Sequence, residues 1–214
     1  MTIRLEKMIP LPMLEQDTSG SEVWEAESLL LDQGASYVVE APSGRGKTSL
    51  LSVIYGIRTD YQGAVLMDDR ELSSFTTKEW SVIRKRKLSF IFQGLELFND
   101  LTALENIQLK NRITLFHSDE RILEMARLLG VDRFLKRKAG ILSFGQQQRV
   151  AIIRALCQPF NFLLADECFS HMDLENSLTA YNLIREECEA RDAGIILTSL
   201  NKTELPNAHI RLKL

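Results

Sequence analysis

The chain has 214 residues, of which 45% are hydrophobic and 26% are charged, and its formal net charge is −3. This composition is typical of soluble globular proteins and excludes disordered and collagen-like chains. Because 26 Lys and Arg residues are balanced by 29 Asp and Glu residues, we expect no nucleic acid partner. The longest apolar run, residues 8–14, is too short to span a membrane, so we expect a cytoplasmic protein. We interpret residues 1–214 as one domain.

In chain order, short β-rich runs alternate with amphipathic stretches, which is typical of an α/β fold with a mainly parallel core sheet. A segment at about 101–142 lacks such runs and carries Ile122, Ala126 and Leu129 at helical spacing. We interpret it as a helical subdomain inserted into the fold. Residues 209–214 alternate polar and apolar like an edge strand. The predicted core strands are residues 37–39, 64–66, 88–92, 162–165 and 195–198.

A glycine-rich loop at residues 41–48 connects the first of these strands to a predicted helix. Its glycines let backbone N–H groups converge on an anion, and the start of the helix adds a positive dipole end. Lys47 is expected to neutralise the β- and γ-phosphates of a nucleotide, and Thr48 to bind Mg²⁺. Ala41 stands where such loops usually carry glycine, so we expect a slightly reshaped loop entry. The predicted nucleotide contacts are Ser43, Gly44, Arg45, Gly46, Lys47, Thr48 and Ser49.

Two acids follow the apolar strand at 162–165. Asp166 is expected at the carboxyl end of that strand, where open α/β sheets bind ligands, and there it would hold Mg²⁺ through a water. Glu167 is then placed to orient or deprotonate an attacking water. Taken alone, this pattern also fits an ordinary strand with an acidic loop. Its combination with the phosphate loop favours the catalytic interpretation.

A second helix start that could bind an anion lies at residues 142–156. Ser143 and Gly145 precede a long predicted helix, and taken alone they also fit a merely capped helix. The run Leu-Ser-Phe-Gly-Gln-Gln-Gln-Arg, just ahead of the Asp-Glu strand, resembles the signature sequence of ATP-binding cassette (ABC) proteins. That resemblance implies that Ser143, Gly145 and Gln146 close over ATP held by another subunit. The active unit would then be a homodimer, or a dimer with a related cassette.

Further motifs extend the resemblance over roughly residues 28–200. Gln93 corresponds to the family's glutamine that reaches Mg²⁺ and the attacking water, and Ser170 and Asp173 match its dimer-contact loop. Residues 101–107 and the glutamine run look like the subgroup that powers lipoprotein release and macrolide export. The resemblance implies ATP and Mg²⁺ as cofactors, with an integral-membrane permease as partner. The chain would then lie peripherally at the inner face of the cell membrane.

Two positions depart from the family pattern where function is expected. After the last core strand the family carries a histidine that contacts the γ-phosphate, and here Ser199 or Leu200 takes its place, depending on register. Because an uncompensated loss at such a position lowers the rate strongly, we expect slow turnover. No aromatic residue is placed to stack on adenine, since we interpret Trp24 as a core residue. Apolar contact with adenine could come from Pro10, Pro12 or Met13 instead.

Other departures from the family pattern remove no residue that would bind nucleotide or metal. Phe144 replaces a signature glycine and could tighten or hinder dimer closure, and Cys168 replaces the proline that usually follows the glutamate. His117 and His171 lie outside the segment of the missing histidine, so we expect both to be solvated surface residues. The three cysteines show no metal-ligand spacing and are expected to be free thiols.

These patterns predict an ABC-type subunit that binds and hydrolyses ATP, with Glu167, Lys47 and Gln93 as catalytic residues and with Thr48, Gln93 and Asp166 serving the metal. An alternative is a cassette that binds nucleotide but hydrolyses little and acts as a structural or regulatory partner. A phosphate-loop kinase is a third interpretation, which the signature run disfavours. The permease is expected to contact a groove beside the Gln93 loop, at Leu97, Phe98 and Leu101.

Overall fold

The structure is a computed structural model that describes residues 1–199 and 210–214. Its strands are β1 (Thr2–Pro10), β2 (Leu29–Asp32), β3 (Ser36–Glu40), β4 (Tyr61–Met67), β5 (Arg70–Glu71), β6 (Leu88–Ile91), β7 (Phe162–Asp166), β8 (Gly194–Ser199) and β9 (Ile210–Lys213). Its helices are α1 (Lys47–Ile54), α2 (Thr77–Arg86), α3 (Ala103–Thr114), α4 (Asp119–Leu128), α5 (Phe144–Leu156) and α6 (Leu174–Glu189). The predicted alternation of strands and helices is confirmed.

The central sheet has five parallel strands in the order β6-β7-β8-β3-β9. Residues alternate between its two faces because successive side chains of a strand point in opposite directions. Leu163 and Ala165 of β7 pack with the core around α5 and α6, whereas Phe162 and Leu164 pack with the core that contains α1. Burial on both faces explains the near-continuous apolar runs of these strands. The predicted edge strand is confirmed, since β9 pairs only with β3 among the described strands.

A second sheet was not predicted. Strands β2, β1, β4 and β5 form an antiparallel sheet, so the predicted strand at 64–66 belongs to this sheet and not to the central one. Ile3 and Leu5 of β1 and Val65 of β4 are buried against the α1 side of the core. Polar residues alternate with them toward solvent, which is the usual pattern of an antiparallel sheet with one covered face.

Helices fill the segment at about 101–142, as predicted from the spacing of its apolar residues. Thr102 begins α3 with a capping box, in which its side chain accepts from the Glu105 amide and Glu105 accepts from the Thr102 amide. Ile107 of α3 and Ile122 and Met125 of α4 are fully buried in the same core as α5. The helical segment is therefore packed directly on the helix that follows the signature run.

A buried ion cluster ties this helical segment to α6, and it corrects one sequence expectation. His117 is not a solvated residue: its side chain is 13% exposed, and Nε2 lies 3.1 Å from Oε2 of Glu187. The same carboxylate accepts from Arg121 of α4 at 2.7 Å and from Arg191 beyond the end of α6. The sequence could not predict this cluster because His117 and Arg121 lie 70 and 66 residues from Glu187 in the chain and meet it only after folding.

We expect Glu187→Gln to lower the free energy of unfolding by about 3 kcal/mol, because it leaves two guanidinium groups without their shared buried carboxylate. Urea denaturation measures the change. The matched control is Glu186→Gln, since Glu186 also pairs with Arg121 but its side chain is 61% exposed. Exposed pairs contribute under about 1 kcal/mol, so equal losses in the two variants would contradict the prediction.

The same cluster makes stability depend on pH. Burial alone would raise the pKa of Glu187, but hydrogen bonds from His117 and Arg121 and the charge of Arg191 lower it to about 2, from an ordinary value of 4.5. A lowered pKa in the folded state stabilises the protein above the ordinary value, and this contribution is lost as the pH falls from 4.5 toward 2. The stability difference between the native protein and Glu187→Gln should shrink over that window.

The cysteines are free and buried. Burial raises the pKa of the Cys157 and Cys188 thiols to about 12 and raises that of Cys168 as well. Thiols that stay protonated are poor nucleophiles and poor metal ligands. In the described part of the chain, no group of three His, Cys, Asp or Glu residues could hold a metal ion.

Candidate functional site

The candidate site lies at the carboxyl edge of the central sheet. Because β3, β6, β7 and β8 run parallel, their carboxyl ends meet at one edge. The glycine-rich loop follows β3, Gln93 follows β6 by two residues, and Glu167 directly follows β7. The fold therefore brings together three of the predicted motifs, which lie far apart in the chain.

The glycine-rich loop has the backbone of an anion-binding turn. Gly44 and Gly46 have φ values of 80° and 93°, a region that glycine enters without steric cost. A Cβ atom at Gly46 would lie 2.9 Å from the sulfur of Met13 and 3.1 Å from the Trp24 ring, so the loop is seated on these two side chains. In the described part of the chain, the amides of residues 43–49 donate no hydrogen bond to another protein group. They remain available for an anion.

Alanine at the loop entry causes no backbone strain. Ala41 is 5% exposed, its φ is not positive, and its amide donates to the carbonyl oxygen of Ser199 at 3.3 Å. Glycine is required only where φ is positive, so alanine fits this position without strain. A slightly reshaped loop entry stays a prediction. The change at Ala41 does not weaken the assignment of the loop.

Lys47 lies inside the loop. Its Nζ donates to the carbonyl oxygens of Ala41 at 2.6 Å and Pro42 at 2.9 Å, and it lies 3.3 Å from Oε1 of Glu167. Only 4% of the residue is exposed. The ammonium group is thus held at the mouth of the loop by three oxygen atoms, in a place where it can face a bound phosphate.

Asp166 is fixed by two hydroxyl groups. Thr48 donates to Oδ2 at 2.6 Å, and Thr198 of β8 donates to Oδ1 at 2.7 Å. Asp166 is 1% exposed, and its partners satisfy one acceptor position on each oxygen. The pair of Thr48 and Asp166 that the sequence assigned to metal binding is in direct contact.

Glu167 has an unusual backbone for its residue type. Its φ is 46°, and its amide donates to the hydroxyl oxygen of Thr198 at 3.0 Å. Non-glycine residues with positive φ persist where the surroundings hold them, and they cluster at functional sites. The carboxylate accepts from Nε2 of Gln93 at 3.1 Å while facing Lys47. The three residues predicted to be catalytic therefore contact one another in series.

Thr198 is a site residue that sequence reasoning missed. It holds both the Asp166 side chain and the Glu167 amide, because β8 lies beside β7 with Thr198 opposite Asp166. The only available signal was a hydroxyl residue at the end of an apolar strand. The pairing of these strands is set by the whole sheet, so that signal was too weak.

The side chains of two predicted nucleotide contacts, Arg45 and Ser49, are hydrogen-bonded to other parts of the protein. Arg45 donates to the carbonyl oxygen of Asp17 at 2.7 Å, and the Ser49 hydroxyl accepts from Arg58 at 2.8 Å. Of the apolar candidates for the base, Pro10 and Met13 are buried and Pro12 is exposed. Trp24 is 6% exposed, which confirms it as a core residue.

The signature residues start α5 as predicted. The Ser143 hydroxyl accepts from the amide of Gln146 at 3.3 Å, and the Gln146 side chain accepts from the Ser143 amide at 3.0 Å. Among the described residues, Ser143, Gly145 and Gln146 share no hydrogen bond with the phosphate loop.

Phe144 and His171 form an aromatic pair beside this helix start. Their rings are 4.4 Å apart in an edge-on arrangement, and Phe144 is 43% exposed. The exposure of His171 is confirmed, and its Nδ1 lies 2.8 Å from the Ser170 hydroxyl.

Cys168 is buried and contributes no ligand atom. Ser199 ends β8 at the expected edge of the sheet, whereas Leu200 lies outside the described residues.

The donor atoms fit a small hard cation. Hydroxyl, carboxylate and side-chain amide oxygens are the ligands that Mg²⁺ prefers, and it is usually bound by one or two such groups together with substrate phosphates. Thr48, Asp166 and Gln93 supply one group of each kind around the loop. Because Thr48 uses its proton on Asp166, the lone pairs of its oxygen remain free for a metal.

A known protein family matches a longer part of the chain than these motifs cover. The profile of the family described as ABC transporter matches residues 25–170, which contain both the phosphate loop and the Asp-Glu strand. The chain belongs to the ABC transporter family. It is an ATP-binding cassette of that family, with the fold of a phosphate-loop ATPase.

Similar proteins support the same assignment. The cassette is 30% identical over 190 residues to the lipoprotein-releasing system ATP-binding protein LolD of Buchnera aphidicola, covering 87% of this chain and 83% of the relative. It is 33% identical to LolD 1 of Chlorobium luteolum, over 91% of this chain and 82% of the relative. The solved dimeric structure of MJ0796, a bacterial ABC transporter cassette, matches with a TM-score of 0.77 at 26% identity, covering 99% of this chain and 94% of that one.

Among the residues described for this cassette, no helix has the length and apolar character needed to cross a bilayer.

Proposed function

We propose that the cassette hydrolyses ATP to ADP and phosphate with Mg²⁺ and thereby drives a separate membrane permease. The observation that carries this proposal is the contact series from Lys47 through Glu167 to Gln93 at the mouth of the phosphate loop. A site that only bound nucleotide would need the lysine but not a carboxylate held at 3.3 Å from it. The solved post-hydrolysis state of MJ0796, bound to ADP and phosphate, is a neighbour in structure at a TM-score of 0.75.

Each residue has a defined task in this proposal. The loop amides and Lys47 bind the phosphates, and entry of the γ-phosphate releases Lys47 from part of its contact with Glu167. Glu167 is then free to orient the attacking water or accept its proton, while Gln93 holds the carboxylate from the other side. Thr48, Gln93 and Asp166 would hold Mg²⁺, which supplies positive charge at the phosphate oxygens. The protein contributes mainly by positioning and charge stabilisation.

Turnover is expected to be slow. Ser199 occupies the end of β8, where the family's histidine would contact the γ-phosphate. A serine hydroxyl can donate one hydrogen bond but carries no positive charge, so it stabilises developing negative charge less well.

The signature residues point to a dimer. Ser143, Gly145 and Gln146 lie at the start of α5 and, among the described residues, share no hydrogen bond with the phosphate loop, so we propose that they close over ATP bound by a second cassette. Either a second copy or a related cassette could supply that site. The permease is proposed to place the cassette at the inner face of the cell membrane. Phe98, at 60% exposed, is available for the permease contact, and that contact stays a prediction.

The test is steady-state ATP hydrolysis by the purified cassette beside a Glu167→Gln control. We expect measurable hydrolysis that requires Mg²⁺ and falls by about 10²-fold in the variant, because the amide cannot accept a proton. Equal rates in both proteins would contradict the proposal and favour a cassette that binds ATP without hydrolysing it.

A further inference from the structure

The loop that carries Gln93 contains two strained residues. Leu95 and Glu96 have φ values of 60° and 50°, and neither is glycine. The Glu96 amide donates to the carbonyl oxygen of Gly94 at 2.7 Å, which closes a three-residue turn around Leu95. Such turns with positive φ at the centre are rare and strained. Something outside the turn must therefore hold it.

Arg154 of α5 makes the contacts that hold this turn. Its guanidinium group donates to the carbonyl oxygens of both Leu95 and Glu96 through two different nitrogens. The Leu95 side chain is 3% exposed, so the turn is anchored from inside as well. Two parallel donors in a rigid fork are a property of arginine that lysine lacks.

The far end of the loop is fixed separately. Asn106 of α3 is fully buried, accepts from the Phe98 amide at 2.8 Å and donates to the Phe98 carbonyl oxygen at 3.0 Å. The near end is the last residue of β6. Between these fixed points, the Leu95 amide donates to the carbonyl oxygen of Phe92 at 3.0 Å, and Arg154 contacts the two carbonyl oxygens of the turn that follows Gln93.

Electrostatics support a positional role for Arg154. Burial lowers the pKa of Arg154, and burial together with the charge of Arg154 lowers that of Lys110. The guanidinium is thus partly desolvated beside a second cation, and the Glu96 carboxylate and Tyr55 favour its charge. Because partial desolvation of its charge is unfavourable, the Arg154 guanidinium is stabilised in this position mainly by its two carbonyl contacts with the turn.

We infer that Arg154 is a positioning residue that holds Gln93 against Glu167 by clamping the strained Leu95–Glu96 turn. The inference rests on the proposed role of Gln93 in hydrolysis. It also links two parts of the proposed mechanism, because Arg154 lies on the helix that begins at Ser143. A movement of α5 when its first residues close over ATP would shift Arg154 and therefore the turn that Arg154 contacts.

The decisive test is rescue by glycine. Arg154→Gln removes the charged fork, and we expect kcat for ATP to fall about tenfold while KM stays within about twofold, since the phosphate loop is untouched. Glu96→Gly in the same chain removes the strain at residue 96, though not that at Leu95, and is expected to restore kcat to within about threefold of the native value. Glu96→Ala is the matched control, because it also deletes the carboxylate but keeps the penalty for positive φ.

A second measurement does not depend on hydrolysis. Hydrogen exchange at the amides of residues 92–98, without nucleotide, should be about tenfold faster in Arg154→Gln and return toward native with Glu96→Gly but not with Glu96→Ala. Arg154→Lys, which keeps the charge but not the fork, should show an intermediate exchange rate and serves if the Gln variant fails to fold.

The possible outcomes separate the two proposals. Rescue by alanine as well as glycine, or unchanged exchange in both Arg154 variants, would overturn the clamp. Exchange that follows the expected order in a cassette with no ATPase activity would keep the clamp and overturn the proposed hydrolysis.

Discussion

Lys47→Ala is expected to weaken ATP binding by about 10²-fold, as measured by calorimetry in the presence of Mg²⁺. The reason is that Lys47 is the only side-chain cation in direct contact with the described loop backbone, at 2.6 Å and 2.9 Å from two of its carbonyl oxygens. Loss of its charge leaves the polyphosphate to the loop amides and the start of α1. Those groups bind anions, but they carry only partial charges.

The variant needs a control because Lys47 is buried and paired. Removing it leaves the Glu167 carboxylate, whose side chain is 11% exposed, without its cation. Repulsion between that carboxylate and the γ-phosphate would add to the loss of binding. Lys47→Ala combined with Glu167→Gln removes this repulsion, so binding that returns to native strength in the double variant would show that Lys47 acts only on Glu167. We expect the double variant to stay weak.

The parts of the site that are local in sequence could be predicted from it. The phosphate loop, the Asp166–Glu167 pair and the capped start of α5 each depend on consecutive residues whose backbone preferences fix their shape. The helical segment was predictable for the same reason, because its periodicity lies within single helices. Parallel strands then bring their carboxyl ends to one edge in any such fold.

What depends on contacts distant in sequence could not be predicted. Thr198 meets Asp166 only because β8 pairs with β7 in one register, and a shift of one residue would turn Thr198 to the other face of the sheet. His117 contacts Glu187 because the helical segment packs on α6. The residues next to His117 in the sequence therefore do not indicate that it is buried. The antiparallel sheet could not be predicted because β1 contains Lys7 at a φ of 47°. At that point the register with β4 shifts, and the alternation of polar and apolar residues breaks.

Dimerisation is the second large effect we expect. In size-exclusion chromatography with Mg²⁺ and saturating ATP, Glu167→Gln should elute as a dimer, because it binds ATP but hydrolyses it about 10²-fold more slowly than the native protein. Each closed half-site adds the Ser143 hydroxyl, the Gly145 amide and the start of α5 to phosphates that one cassette neutralises only in part. ATP that binds the dimer more tightly than the monomer shifts the equilibrium by mass action. The native protein should return to monomer as ATP is consumed.

Ser143→Arg added to Glu167→Gln is the matched control for this dimer. The new side chain replaces the capping hydroxyl of α5 and fills the face that must meet ATP on the partner, so the double variant should remain monomeric while each monomer still binds ATP. Nucleotide occupancy is measured on the eluted fractions of both variants. A Glu167→Gln protein that stays monomeric with ATP bound would contradict closure between identical cassettes, and the exposed Phe144–His171 pair at this face would then be the first place to look for what prevents it.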